Sequence, residues 1–270
     1  MSIERQKVEV KQHWEQETCG TRGIEADERR EFFQTLTVQR YLVDSHIPDW
    51  ARFYRGRGKD LLEIGVGAGT DFVNWARNGA RAVGIDLTDA GVALTKERLA
   101  LEGLDAVVQR GDAESLDFPD ESFDIVYSYG VLHHTPNTPR AFREAYRVLR
   151  PGGTLLAMIY RANSWTGALL WAMHYAAKLD PLHTPREAIY NFLESPGTKA
   201  YTKAEARALM CEFSSIKLDV VLLAGDTLSM RPSAKYQGLA HRLAWRLYPR
   251  DVIRRFGRPL GLGLLIEAVK

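Results

Sequence analysis

Three glycines at alternate positions, Gly65, Gly67 and Gly69, follow the apolar run Leu61-Leu62-Glu63-Ile64 and precede Thr70-Asp71. A buried strand that ends in such a turn lets the backbone approach a ligand closely, and the following helix offers its N-terminus. Turns of this kind serve NAD, FAD, nucleoside phosphates and S-adenosylmethionine (SAM). The G-x-G-x-G spacing departs from the dinucleotide fingerprint G-x-G-x-x-G, and no Gly-Lys-Ser/Thr follows to make a phosphate loop. Glu63 would repel a pyrophosphate but suits a ligand that carries an ammonium and a sulfonium. Two further acids close apolar runs. Asp86 follows Ala82 to Ile85, where a strand-end carboxylate accepts ribose hydroxyls, and Asp112 follows Ala106 to Gln109, where it can accept adenine amino hydrogens.

After these come Phe123-Asp124-Ile125-Val126-Tyr127-Ser128 as a fourth strand, Val131-Leu132-His133-His134, a helix ending near Arg150, and the turn Pro151-Gly152-Gly153. From about Asp60 to Tyr160 the chain resembles the class I SAM-dependent methyltransferases, in particular the branch of the ubiquinone and menaquinone biosynthesis enzymes. The resemblance implies SAM as cofactor and in-line methyl transfer to an O, N or C centre of a small or moderately apolar metabolite; a SAM-binding sensor or assembly protein without methyl transfer is the alternative. Residue by residue, it implies Glu63, Gly65 and Gly67 around the methionine part, Asp86 on the ribose, Asp112 and Ala113 at the adenine, and Tyr129 or Gly130 on the floor. Gly69, Thr70, Leu87 and Glu114 complete the candidate cofactor set. The segment Ser128-Tyr129-Gly130-Val131 lacks the Asn/Asp-Pro-Pro-Tyr element of many nucleic-acid methyltransferases, which argues for a small-molecule acceptor.

Methyl transfer from a sulfonium needs alignment and exclusion of water, with a base only where the nucleophile must lose a proton. His133 and His134 stand at the carboxyl end of the fourth strand, the edge where open α/β sheets bind ligands. They are the candidate catalytic groups, His133 ahead of His134, with Tyr129 beside them. The alternative is a histidine pair that only shapes the turn. Adjacent imidazoles seldom converge on one ion, and no H-x-x-x-H or cysteine cluster supplies more ligands, so no metal site is expected. Trp14 to Arg22 brings an aromatic, a thiol, a glycine and an arginine together, and is read as closing the site, with Trp14 and Arg22 toward substrate. Arg22 could pair with a carboxylate. Trp165, Trp171, Met173 and Tyr175 are the candidate apolar wall of a substrate cap.

The elements that must hold these residues follow from pattern. Between Asp60 and Tyr160 apolar runs alternate with helical stripes such as Phe72, Trp75 and Ala76, which argues an α/β fold with a doubly wound parallel sheet. Thr138-Pro139 reads as the start of the helix bearing Phe142, Ala145 and Leu149. Thr202-Lys203-Ala204-Glu205 is a capping box, and strands are expected over Ile216 to Ala224 and Leu260 to Val269. These two fit the antiparallel pair that closes the seven-stranded, mostly parallel sheet of the resembled Rossmann-like methyltransferase fold. Residues 1–58 are read as an N-terminal helical cap and residues 59–270 as the methyltransferase domain, with cap insertions at about 161–200 and 225–258.

The chain has 270 residues, 45% of them hydrophobic, enough for one large domain, and a net charge of +2, which gives no basic field for nucleic acid. Cys19 and Cys211 lie far apart, the start lacks an apolar signal region, and no apolar run reaches eighteen residues; a cytoplasmic location is expected. Residues 231–258 are locally basic, with Arg242, Arg246, Arg250 and Arg254 at every fourth position. They are read as a solvated face, with peripheral contact to an anionic membrane as the alternative.

Overall fold

Leu61, Leu62 and Ile64 are all buried, as are Ile125, Val126 and Tyr127, so two segments are apolar on both faces. Such strands belong in the middle of a parallel sheet covered on both sides. They are β1 (Asp60–Ile64) and β4 (Phe123–Tyr129), joined in the sheet by β2 (Arg81–Asp86), β3 (Val107–Arg110), β5 (Leu149–Tyr160), β6 (Ser215–Val221) and β7 (Gly263–Val269). The computed structural model describes residues 3–16, 18, 21, 23–24, 26–180, 182–195, 197–229, 246 and 248–270. The seven strands run in the order β3-β2-β1-β4-β5-β7-β6. The first five are parallel, and β7 lies antiparallel between β5 and β6. The order reverses between β1 and β4, and a crevice outside the carboxyl ends of these strands is where such a sheet takes ligands.

Helices α4 (Phe72–Arg77), α5 (Asp89–Glu102) and α6 (Thr138–Val148) link the parallel strands. Helix α6 buries Ala141, Phe142, Ala145 and Val148, one apolar stripe at helical spacing against the sheet. Its cap is Asn137, whose side chain accepts from the Arg140 amide, rather than the expected Thr138, which already lies inside the first turn. The expected Pro151-Gly152-Gly153 turn sits inside β5: Phe123 pairs with Leu149 while Ile125 pairs with Thr154, so the extra residues bulge from the strand.

Two sets of helices flank the crevice. Helix α1 (Ile3–Gln16) is held by charge: Lys7 reaches Asp112 at 2.7 Å and Glu114 at 3.0 Å, and Lys11 reaches Asp89 at 3.1 Å. The Glu15 carboxylate accepts from the Asp89 and Ala90 amides at the N-terminus of α5, where the helix dipole favours an anion. Helix α2 (Arg29–Val43) packs Phe33 and Leu36 against Ala68 of the glycine turn. Buried Arg98 of α5 donates to Thr37 of α2 and to Thr70, tying that turn to two helices.

On the other side, α7 (Trp165–His174) and α8 (Pro185–Phe192) pack with Tyr175 and Leu170 against Met158 and Tyr160 of β5. Asp226 is fully buried beyond β6. It accepts from the Thr166 amide and hydroxyl and from the Leu223 and Leu262 amides, so one carboxylate joins the start of α7 to the approaches of β6 and β7. The capping box at Thr202 and Glu205 opens α9 (Lys203–Leu209) as expected. Most of the basic stretch, residues 231–245 and 247, lies outside the described residues, as do Cys19 and Arg22. No described helix is long and apolar enough to cross a membrane.

Candidate active site

Outside the carboxyl ends of β1 and β4 lies a cavity of about 460 Å³. Its first wall is the glycine turn. Gly65 has φ +82°, and a side chain there would collide with Val131; Gly69 has φ +73° with Thr95 in the way. Only glycine holds this bend without strain.

Glu63, at the end of β1, lines the cavity with 3% exposure, and its Oε2 has no hydrogen-bond partner. Burial is the main cause that drives its carboxyl well above the usual range; Asp71 and Asp86 add to the effect and Arg40 opposes it. A buried acceptor left unpaired is costly, and a cationic donor from a ligand would satisfy it. Arg40 of α2 lies in the same wall. It pairs with Asp44 and Asp71, each at 3.0 Å, and its guanidinium lies 4.5 Å above the Tyr129 ring. Asp71 also accepts from the Tyr41 and Tyr127 hydroxyls. This network fixes the floor beneath the glycine turn.

Asp86 accepts from the Gly67 amide with Oδ2 and from Thr88 with Oδ1, which orients it toward the cavity that Asp86, Leu87 and Thr88 line together. Asp112, Ala113 and Glu114 line the next part. There Lys7 occupies Asp112 Oδ2, a contact that sequence spacing gave no sign of, since α1 is far away along the chain. Gly65, Gly67, Thr70, Tyr129 and Gly130 also border the cavity; Gly69 is not among its lining residues and shapes the turn from behind. The fit to an adenosyl amino acid is therefore good: one unsatisfied buried carboxylate at the glycine turn, and two carboxylates at successive strand ends.

Beyond the turn the cavity continues between Trp14, Tyr129, Met158, Tyr160, Leu193 and Leu223, with His134 and Glu194 among them. Here two expectations need correction. His133 is fully buried and does not line the cavity, whereas His134 does. The 3-10 turn Leu132–His134 sends the His133 ring inward, where it lies tilted against the Tyr160 ring with the centroids 4.1 Å apart. Burial, with His134 and Lys199 nearby, holds His133 neutral by pushing its pKa well below the usual value. Trp165 is the second: its indole donates to the Gly257 carbonyl, away from the cavity. Trp171, Met173 and Tyr175 do not line it either; Trp171 donates to the His183 carbonyl, and Tyr175 stacks on the His183 ring. Trp14 does reach the wall, edge-on to His134 at 5.4 Å.

Glu194, Met158 and Arg40 were not among the sequence candidates. Glu194 had no motif to announce it, because its neighbours in space come from β5 and the turn after β4. Among the described residues no His, Cys, Asp and Glu side chains cluster so as to hold a metal ion.

Comparison with known proteins agrees with this architecture. Residues 62–157 match the family model described as a methyltransferase domain. Over 121 residues the chain is 40% identical to the phthiotriol/phenolphthiotriol dimycocerosates methyltransferase of Mycobacterium leprae, a stretch that is 44% of this chain and 43% of the relative. It is 38% identical over 101 residues to the 27-O-demethylrifamycin SV methyltransferase of Amycolatopsis mediterranei, 36% of this chain and 37% of that one. The match thus spans less than half the length of these curated relatives. A SAM-dependent methyltransferase structure from Thermotoga maritima shares the fold at a TM-score of 0.53 and 20% identity, covering 90% of this chain and 98% of that one. None of these three names carries the finer expectation of a ubiquinone or menaquinone enzyme. Sheet order, glycine turn, strand-end acids and sequence kinship agree: residues 62–157 match a methyltransferase domain, set in a seven-stranded sheet of the Rossmann-like methyltransferase fold.

Proposed function

We propose that the protein transfers a methyl group from SAM to a hydroxyl oxygen of a moderately apolar small molecule. The observation that carries this reading is one continuous cavity with an unsatisfied buried carboxylate, Glu63, at the glycine turn and an apolar wall bearing His134 and Glu194 further on. In this reading Glu63 and the glycine turn hold the methionine part, Asp86 the ribose, and Asp112 with Ala113 the adenine. SAM supplies a methyl group on a sulfonium, whose leaving thioether is already activated. The chain's own task is to bind, align and dry the acceptor. Trp14, Met158, Leu193 and Leu223 supply apolar surface for it. Of the relatives named above, one is named for phthiotriol and phenolphthiotriol dimycocerosates and one for 27-O-demethylrifamycin SV, and these two names support oxygen as the acceptor atom. Residues 1–58 and the insertion around 161–200 act as caps on a domain of residues 59–270, working in the cytoplasm.

Purified protein incubated with methyl-labelled SAM and an apolar metabolite extract tests the reading. Label in the organic phase with matching S-adenosylhomocysteine is expected. Tight SAM binding with no homocysteine product from any extract would instead favour a SAM-binding sensor or assembly protein.

A further inference from the structure

Glu194 is held in an arrangement that the fold alone does not require. It follows α8 and adopts φ +53°, the left-handed region that a non-glycine residue seldom occupies. Its side chain keeps 36% exposure and borders the cavity, while His134 beside it keeps 5%. The Tyr160 hydroxyl donates to both Glu194 oxygens at 2.9 Å, and His134 Nε2 lies 3.3 Å from Oε2.

The hydrogen positions on His134 follow from its neighbours. A ring nitrogen facing a carboxylate at this distance carries its hydrogen. Nδ1 is then the acceptor, 2.8 Å from Ser195 Oγ, while the Thr198 hydroxyl is donated to the Ser195 carbonyl at 2.7 Å. Nδ1 is thus taken up by the Ser195 and Thr198 hydroxyls, at 2.8 and 3.1 Å, while Nε2 makes no hydrogen bond and is turned toward the Glu194 carboxylate at 3.3 Å. Glu194 has acceptor capacity left and faces the cavity. Enclosure opposes its ionisation, yet the His134 contact and the Tyr160 hydroxyl outweigh this and keep the carboxyl below its usual range.

We propose that Glu194 is the catalytic carboxylate, hydrogen-bonding the acceptor hydroxyl and taking its proton, with His134 and Tyr160 as positioning residues. This rests on the reading that a methyl acceptor occupies the cavity. In the step, a lone pair of the acceptor oxygen forms the new O–C bond as the C–S bond breaks, and the sulfur keeps that bonding pair. The hydroxyl proton passes to a Glu194 oxygen and from there to solvent. A weakly basic carboxylate suffices, because an alcohol oxygen becomes strongly acidic as it gains the methyl group.

The test compares wild type, Glu194→Gln and Glu194→Asp on two probes, a long-chain secondary alcohol and an alkyl-substituted nitrophenol that is already ionised at the assay pH. Calorimetric titration with SAM is run on each protein. Expected are unchanged SAM affinity, a roughly 10²- to 10⁴-fold loss of kcat for Glu194→Gln on the alcohol with little change in KM, and near wild-type turnover on the nitrophenolate. Glu194→Asp, which keeps the charge and controls for folding, should recover part of the alcohol activity. Equal losses on both probes, or wild-type kcat on the alcohol, would overturn the proposal. So would a wild-type protein that binds SAM but methylates only the ionised probe. Failure of wild type to bind SAM would count against the underlying methyltransferase reading instead.

Discussion

Replacing Glu63 with glutamine should make the ligand-free protein more stable while weakening its hold on SAM. The side chain is 3% exposed, its Oε2 lacks a partner, and burial followed by the Asp71 charge raises its pKa well above the ordinary carboxylate value. The sign follows from linkage. A carboxyl whose folded pKa exceeds its unfolded one binds more protons in the folded state, so stability falls as pH rises from the ordinary value to the raised one. Glutamine does not titrate and escapes this loss. A buried unpaired charge costs more than a buried unpaired amide, here by about 1–3 kcal/mol, so in urea melts Glu63→Gln should exceed wild type by about that much near pH 8. The gap should close below about pH 3, where Glu63 is protonated in both states. Loss of a charge-assisted bond to the ligand ammonium, about 1.5–3 kcal/mol, should weaken SAM binding roughly ten- to hundredfold. A variant no more stable than wild type at the higher pH, or a gap that does not change with pH, would mean that Glu63 carries no buried unpaired charge.

Other perturbations separate scaffold from site. Gly67 has φ +53° and borders the cavity, and a Cβ there would meet only the Thr18 methyl group, at 3.9 Å, so Gly67→Ala should cost only about 1–2 kcal/mol in a denaturant melt while obstructing SAM binding in a titration. Asp226→Ala removes a fully buried carboxylate that four donors share, and should lower stability by about 3–5 kcal/mol, read as a lower urea midpoint. Because α1 is held by Lys7 and Lys11 ion pairs at the crevice edge, hydrogen exchange across Ile3–Gln16 should quicken as salt rises from about 0.05 to about 0.5 M, and Lys7→Met should mimic the effect at low salt.

The core of the fold was legible because its strands announce themselves: β1 and β4 are built on the apolar runs Leu61-Leu62 and Ile125-Val126-Tyr127, and the acids Glu63, Asp86 and Asp112 mark strand ends within single segments. The antiparallel closing strands came through the resemblance as much as through pattern. What could not be read depends on rotation and on distant contacts. His133 and His134 are adjacent in sequence, and only the sense of a 3-10 turn decides which ring meets the cavity. Apolar Trp165 and Tyr175 fitted a pocket wall equally well as a packed cap, and packing won. Glu194, Arg40 and Lys7 gain their meaning from partners on other elements, and no local spacing encodes those.

The cavity suits a cationic adenosyl amino acid and not a dinucleotide. Calorimetric titration of the purified protein with SAM and, separately, with NAD tests it most directly. One SAM per chain with no detectable NAD binding is the predicted result; NAD binding without SAM binding would contradict it.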